Sequence, residues 1–89
     1  MGGTVGSALI TGASGHLGRR IAASMFQQSF TLAINDIDEK ASALLAASME
    51  GAASFAVDVS EPVTASQLVA DVVDRFGPID VLINAIGVE

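Results

Sequence analysis

The stretch Thr11-Gly12-Ala13-Ser14-Gly15-His16-Leu17-Gly18 constrains this chain more than any other. It comes after the apolar run Ala8-Leu9-Ile10 and opens into Arg19-Arg20-Ile21-Ala22-Ala23-Ser24-Met25-Phe26, a segment of helical character. A glycine-rich turn between a strand and a helix is suited to holding a phosphate. Glycine has no side chain to keep a ligand off the backbone, and the first helical N–H groups, unpaired within the helix, carry partial positive charge outward. Spaced three residues apart, Gly12, Gly15 and Gly18 can divide three tasks. These are turning the chain, admitting a pyrophosphate and letting the helix pack against a sheet. A tight strand–helix turn with no ligand would use the same glycines, so the triplet takes its meaning from the rest of the chain.

Strand-like and helix-like segments alternate regularly along the sequence. Residues 1–6 form a glycine-rich leader expected to be loose, and Ser7 to Thr11 is a first strand, apolar enough for burial on both faces. A helix is expected from about Leu17 to Gln28, with Leu17, Ile21, Ser24 or Met25, and Gln28 near one face. Phe30 to Asn35 is a second strand ending at Asp36. Asp38 suits the N-cap of a helix running to about Glu50, with Gly51 just past its end. Ala53 to Val57 is a third strand, with Asp58-Val59 directly after it. Ser60-Glu61-Pro62 starts a third helix whose apolar stripe is Leu68, Val69, Val72, Val73 and Phe76, and Gly77-Pro78 stops it. Ile79 to Ala85 is a fourth strand. The β-α-β-α-β-α-β order implies an α/β fold with a parallel sheet and right-handed crossovers. Residues 1–89 would then form one incomplete Rossmann-type half-domain, the N-terminal half of a doubly wound fold. The expected strand order is third, second, first, fourth, with the first two helices on one face and the third on the other.

Composition narrows the partners. Hydrophobic residues make up 51% and aromatic residues 4%, so the core is aliphatic. A net charge of −6 argues against nucleic acid or an anionic membrane, and an anionic cofactor must be held by local backbone dipoles. With no cysteine and one histidine, neither a disulfide nor a usual zinc site is available. No apolar run approaches membrane-spanning length, and the expected location is the cytoplasm.

Eighteen residues beyond Gly18, at the end of the second strand, stands Asp36. That is where a carboxylate accepts hydrogen bonds from the hydroxyls of an adenosine ribose. A carboxylate there repels a 2′-phosphate, and Ile37 offers no cation for one, so NAD(H) is favoured over NADP(H). Asp58 falls at the adenine end, where its side chain or the Val59 N–H can read the base, and Gly87 leaves room where the cofactor crosses the sheet edge. Each residue also has a plainer use: Asp36 as a solvated carboxylate opening a loop, Asp58 as the end of a strand, His16 as an exposed helix-start side chain, and Phe26 and Phe76 as core.

With these residues in place the chain resembles the N-terminal part of a short-chain dehydrogenase/reductase. The resemblance is carried by Thr11-Gly12-Ala13-Ser14-Gly15-His16-Leu17-Gly18, Asp36, Asp58-Val59 and Asn84-Ala85-Ile86-Gly87. It implies a cofactor site built from Gly12, Ser14, Gly15, His16, Leu17, Gly18, Asp36, Ile37, Asp58, Val59, Asn84, Ala85 and Gly87. Two positions depart from the family pattern. His16 stands where the commonest subgroup has glycine, and the early Gly15 is closer to the spacing of the extended, epimerase-like members. Ala85 and Ile86 occupy the middle of the family's Asn-Asn-Ala-Gly segment. The family moves hydride between a nicotinamide cofactor and an alcohol or carbonyl, with a tyrosine, a lysine four residues later and a serine. This chain has no tyrosine, and its only lysine is Lys40. It carries no catalytic residue of that kind and is expected to be inactive alone. A non-catalytic nucleotide-binding module is the alternative, and an epimerase or dehydratase fragment a weaker one. The apolar edge Val81 to Ile86, unpaired in this chain, is expected to drive self-association.

Overall fold

The computed structural model describes residues 4–86. The chain runs β1 (Gly6–Thr11), α1 (His16–Gln27), β2 (Phe30–Asn35), α2 (Glu39–Ala47), β3 (Ala53–Phe55), α3 (Pro62–Phe76) and β4 (Val81–Asn84). All pairings are parallel, and the sheet order is β3-β2-β1-β4, as the alternation implied. Register aligns the carboxyl ends: Thr11 lies opposite Asn35 and Asn84, and Asn35 opposite Phe55. The loops that follow the strands therefore leave the sheet along one edge.

Successive strand residues point to opposite faces, so the two central strands feed two separate cores. Ala8, Ile10, Leu32 and Ile34 pack with Ala22 of α1 and Ala46 of α2 on one face. Leu9 and Ala33 pack with Leu68 and Val72 of α3 on the other. Gly18 brings α1 close: a Cβ there would collide with the Gly12 carbonyl and lie 2.7 Å from the Ala13 Cα.

Several boundaries and faces differ from the sequence expectation. The expected loose leader over residues 1–6 does not hold at its end, because Gly6 already pairs with Phe30 in β1 and the Val5 N–H donates to the Ser29 carbonyl at 3.0 Å, while residues 1–3 lie outside the described residues. The inward ridge of α1 is Gly18 and Ala22, flanked by Ile21 and Met25, while Leu17, Phe26 and Gln28 are exposed. Small residues win that ridge because only they let the helix axis approach the sheet. Helix α2 stops at Ala47, where the Ser48 hydroxyl donates to the Leu45 carbonyl at 2.6 Å and the Met49 N–H reaches back three residues to Ala46. That tightened turn tucks Met49 into the core before Gly51, at φ +86°, redirects the chain. On α3 only Leu68 and Val72 are buried, and Val69 and Val73 face outward. Strand β3 ends at Phe55 rather than Val57, and β4 covers only Val81–Asn84. At the lower end of β4 side chains extend the pairing: the Ser7 N–H donates to the Asp80 carboxylate at 2.9 Å, and the Ser7 hydroxyl to the Pro78 carbonyl at 2.7 Å.

Candidate functional site

A cleft of about 260 Å³ opens at the carboxyl ends of the strands. Gly12, Gly15, Asn35, Asp36, Ile37, Val57, Asp58, Val59, Ala85 and Ile86 line it. In an open parallel sheet this is where ligands bind, since the crossovers on either side of β1 run to opposite faces and the loops part.

Two of the three glycines are demanded by the backbone. Gly12 has φ +67°, and a Cβ there would lie 2.8 Å from Ile86 Cγ1 and 2.9 Å from the Ile86 nitrogen. Gly18 is fixed by the close packing of α1 against the glycine turn. Gly15, the N-cap of α1, sits at φ −71° and ψ 173°, a conformation open to any residue. Ser29 is the sole non-glycine residue with positive φ among the described residues, so His16 also takes an ordinary backbone conformation. The glycine-to-histidine departure at position 16 thus creates no backbone strain. His16 and Leu17 form the exposed first turn of α1, and Gly18 lies buried behind them. Helices α1 and α2 differ at their starts. Asp38 caps α2 by accepting from the Ala41 N–H at 3.0 Å, whereas Gly15 offers α1 no side-chain cap and no acidic residue occupies its first turn.

Asp36 is tied to the glycine turn. Its Oδ2 accepts from the Ser14 N–H at 3.1 Å and its Oδ1 from the Asp38 N–H at 3.1 Å. Partial burial pulls its carboxyl upward, but hydrogen bonds from the Ser14 hydroxyl and from the Asp38, Ser14 and Ile37 N–H groups outweigh it and hold it below the usual carboxylate range. Ile37 beside it is 71% exposed. Across the cleft, the Asp58 Oδ1 accepts from the Ser60 hydroxyl at 2.7 Å and the Ser60 N–H at 3.0 Å. These two bonds, hydroxyl first, lower its pKa against a slight opposing effect of desolvation. Asp58 is therefore already committed on one oxygen, while Val59 lines the cleft beside it.

Asn84 ends β4 on the other side. Its Oδ1 accepts from the Thr11 hydroxyl at 2.9 Å and from the Ile86 N–H at 3.2 Å, and the Ala85 N–H donates to the Thr11 carbonyl at 2.9 Å. Asn84 thus shapes the turn that carries Ala85 and Ile86 to the cleft without lining it. Gly87 lies outside the described residues. No Lys or Arg lines the cleft, so an anionic group there would meet backbone N–H groups and two carboxylates. Among the described residues no cluster of three metal-ligating side chains occurs, and no helix is long and apolar enough to cross a membrane.

One cleft residue escaped the sequence reading. Asn35 is 1% exposed, and its side-chain amide donates to the Phe55 carbonyl at 2.8 Å and the Val57 carbonyl at 3.1 Å. The available signal was a polar amide closing the otherwise apolar run Leu32-Ala33-Ile34 of an interior strand. Such a group must find partners when buried.

A parallel β3-β2-β1-β4 sheet with a glycine turn after β1 and an acid after β2 defines a Rossmann-type α/β protein. More narrowly, the chain belongs to the short chain dehydrogenase family, whose model matches residues 6–89. It is 37% identical over 79 residues to a sorbitol dehydrogenase of Cereibacter sphaeroides, covering 88% of this chain and 31% of that protein. It is 36% identical over 87 residues to a 3-oxoacyl-[acyl-carrier-protein] reductase of Staphylococcus aureus (strain N315), covering 92% and 35%. Among solved structures it superposes with TM-score 0.82 and 32% identity on a short-chain dehydrogenase/reductase (glucose/ribitol dehydrogenase) from Brucella melitensis, covering 90% of this chain and 34% of that one. A 3-ketoacyl-(acyl-carrier-protein) reductase from the same organism, complexed with NADH, gives TM-score 0.84 at 26% identity, covering 89% and 33%. The chain spans about a third of the length of these relatives.

Proposed function

We propose that this chain is the NAD(H)-binding N-terminal portion of a short-chain oxidoreductase. The observation that carries this reading is Asp36, ionised at the cleft wall and tied to Ser14 of the glycine turn. The NADH complex of the Brucella reductase supports a nicotinamide dinucleotide. The chain's own groups fit one: at Gly12 a Cβ would fill the space between the turn and Ile86, and α1 begins there at Gly15, which has no side chain to occupy the site. At about 260 Å³ the cleft falls just below the roughly 300–1,000 Å³ typical of whole-ligand sites, which suits the adenosine half.

In this reading the turn from Gly12 to Gly15 and the first turn of α1 at His16 and Leu17 meet the pyrophosphate, with Gly18 behind them. Asp36 accepts from the ribose hydroxyls, and its charge beside the uncharged Ile37 disfavours a 2′-phosphate, hence NAD(H) over NADP(H). Val59 and Asp58 face the base, and Asn84, Ala85 and Gly87 carry the cofactor across the sheet edge. The bound cofactor supplies the hydride chemistry. This chain supplies no proton donor for it, having no tyrosine and its one lysine, Lys40, on α2. The complete enzyme would act on an alcohol or carbonyl, and this chain alone would not turn over. The second reading is a nucleotide-binding module with no chemistry.

Calorimetric titration with NAD⁺ and NADP⁺ tests the binding function. Tighter binding of NAD⁺ is expected, and equal or tighter binding of NADP⁺ would overturn the role of Asp36. A reading frame continuing past Glu89 into a Tyr-x-x-x-Lys segment would separate the enzyme from the bare module. The β4 flank, with Leu82 65% exposed, is proposed as the surface through which isolated chains associate.

A further inference from the structure

We propose that Asn35 is a positioning residue for the base of the dinucleotide, setting the gap between the Asp36 wall and the Val57-Asp58-Val59 wall of the cleft. The inference rests on the nucleotide-binding function proposed for the cleft, but it concerns a residue to which that function gives no part.

Strands β2 and β3 pair only through Ala33–Ala53, Ile34–Ser54 and Asn35–Phe55. Beyond Phe55 the ladder stops, and the Val57 N–H turns back to the Phe55 carbonyl at 3.2 Å. The backbone that becomes one wall of the cleft leaves the sheet here. Farther along it is held by Val57 and Val59 against the α3 core and by the Thr64 hydroxyl, which donates to the Asp58 carbonyl at 2.6 Å. Asn35 provides the hold nearest the sheet. Its single side-chain nitrogen donates to the carbonyls of Phe55 and Val57, the two ends of that turn, at 2.8 and 3.1 Å. The backbone carbonyl of the same residue accepts from the Ala13 N–H of the glycine turn at 2.9 Å. Asn35 is thus bonded to the glycine turn on one side and to the exit of β3 on the other, and its chain neighbour is Asp36.

The chemistry selects asparagine. Two carbonyls two residues apart need one nitrogen with two hydrogens, which an aspartate lacks and a serine hydroxyl supplies only once. At 1% exposure no water reaches the amide, so removing it takes the Asn35 donor from the Val57 carbonyl and leaves the Phe55 carbonyl with the longer bond from the Val57 N–H, and the segment relaxes outward. The wall that moves is the one carrying Asp58 and Val59, not the one carrying the glycines.

A merely structural asparagine would weaken all ligands alike, so the test reads discrimination. NAD⁺ and nicotinamide hypoxanthine dinucleotide differ at the base alone, where an oxo group replaces the amino group. The unaltered chain should prefer NAD⁺ about tenfold, the worth of about one hydrogen bond. Asn35→Ala should reduce that preference to about twofold or less, with Asn35→Ser between. In the unaltered chain, the Asn35 side-chain amide protons should exchange slowly by NMR. They should shift with NAD⁺ and not with nicotinamide mononucleotide, a measurement that needs no folded variant. A chain that binds neither dinucleotide would overturn the nucleotide-binding function, and this inference with it. NAD⁺ binding without base preference, a preference unchanged in a folded variant, or amide protons indifferent to NAD⁺ would each overturn the role of Asn35 alone.

Discussion

The β1–β2 half of the sheet and the β4–α3 flank are built to different standards. In β1 every residue from Ser7 to Thr11 is buried, and β2 is buried from Leu32 to Asn35, so both strands are covered on both faces. In β4, by contrast, half-buried and exposed residues alternate, with Leu82 open to solvent, and Val69 and Val73 of α3 are exposed as well. Yet the two strands have the same kind of sequence, Phe-Thr-Leu-Ala-Ile-Asn against Val-Leu-Ile-Asn. An apolar strand is equally apolar wherever it sits. What differs is the company around it within these residues: β1 and β2 each have a strand on both sides, and β4 has β1 alone.

Truncation should separate the halves most sharply. Ile34→Ala removes a side chain that is fully buried and should cost about 2–5 kcal/mol, enough to unfold a small domain. Leu82→Ala should change stability by no more than about 0.5 kcal/mol. Urea denaturation of the two variants checks this, and equal losses would erase the distinction. Next in size is Asp36→Ala, which removes hydrogen bonds to a charged acceptor worth about 1.5–3 kcal/mol, or roughly 10–150-fold in NAD⁺ affinity. NADP⁺ affinity should change less, so the preference between the two should narrow in a paired titration. A smaller effect is expected at the flank, where Leu82→Lys should shift light scattering toward monomer while leaving the urea midpoint nearly unchanged. A monodisperse monomer before substitution would show that this flank is not adhesive.

The smallest effect is in pH. Asp36 titrates below its ordinary value of 3.8, so the folded state binds fewer protons than the unfolded one. Its contribution to stability is complete above that ordinary value and is lost as pH falls through the depressed one. Asp36→Asn should flatten the fall in stability between about pH 5 and 3, monitored by circular dichroism. An unchanged acid limb would mean that Ser14 and Asp38 do not hold this carboxylate.

Element order and sheet order were legible because they rest on punctuation: Gly12 after an apolar run, Asp38 before a helix, Gly77-Pro78 after one. The glycine turn and Asp36 were legible for the same reason, being residue types at a fixed spacing. Helix faces were less so. Leu17 and Ala22 compete for the inward side of α1, and hydrophobicity favours leucine while the close approach to the sheet favours alanine. The end of α2 comes earlier than its sequence suggests because Ser48 takes the Leu45 carbonyl, a local bond that overrides helical propensity from Ser48 to Glu50. Asn35 was legible only as a polar amide closing an apolar strand. Nothing in its immediate sequence reports two carbonyls 20 and 22 residues away.

The bonds that pin β4 to β1 have a kinetic consequence. Ser7 to Asp80 and Thr11 to Asn84 each join residues 73 positions apart, whereas Asn35 reaches Phe55 across 20. Closing the longer loops costs more chain entropy and slows folding. Among the described strands, β1 is therefore made before the others and gains its second neighbour last. At about 5–20 residues per second, a ribosome takes roughly 4–15 s to make the partner that covers the free side of β1. Until then β1 can pair only with β2, and its other side stays open.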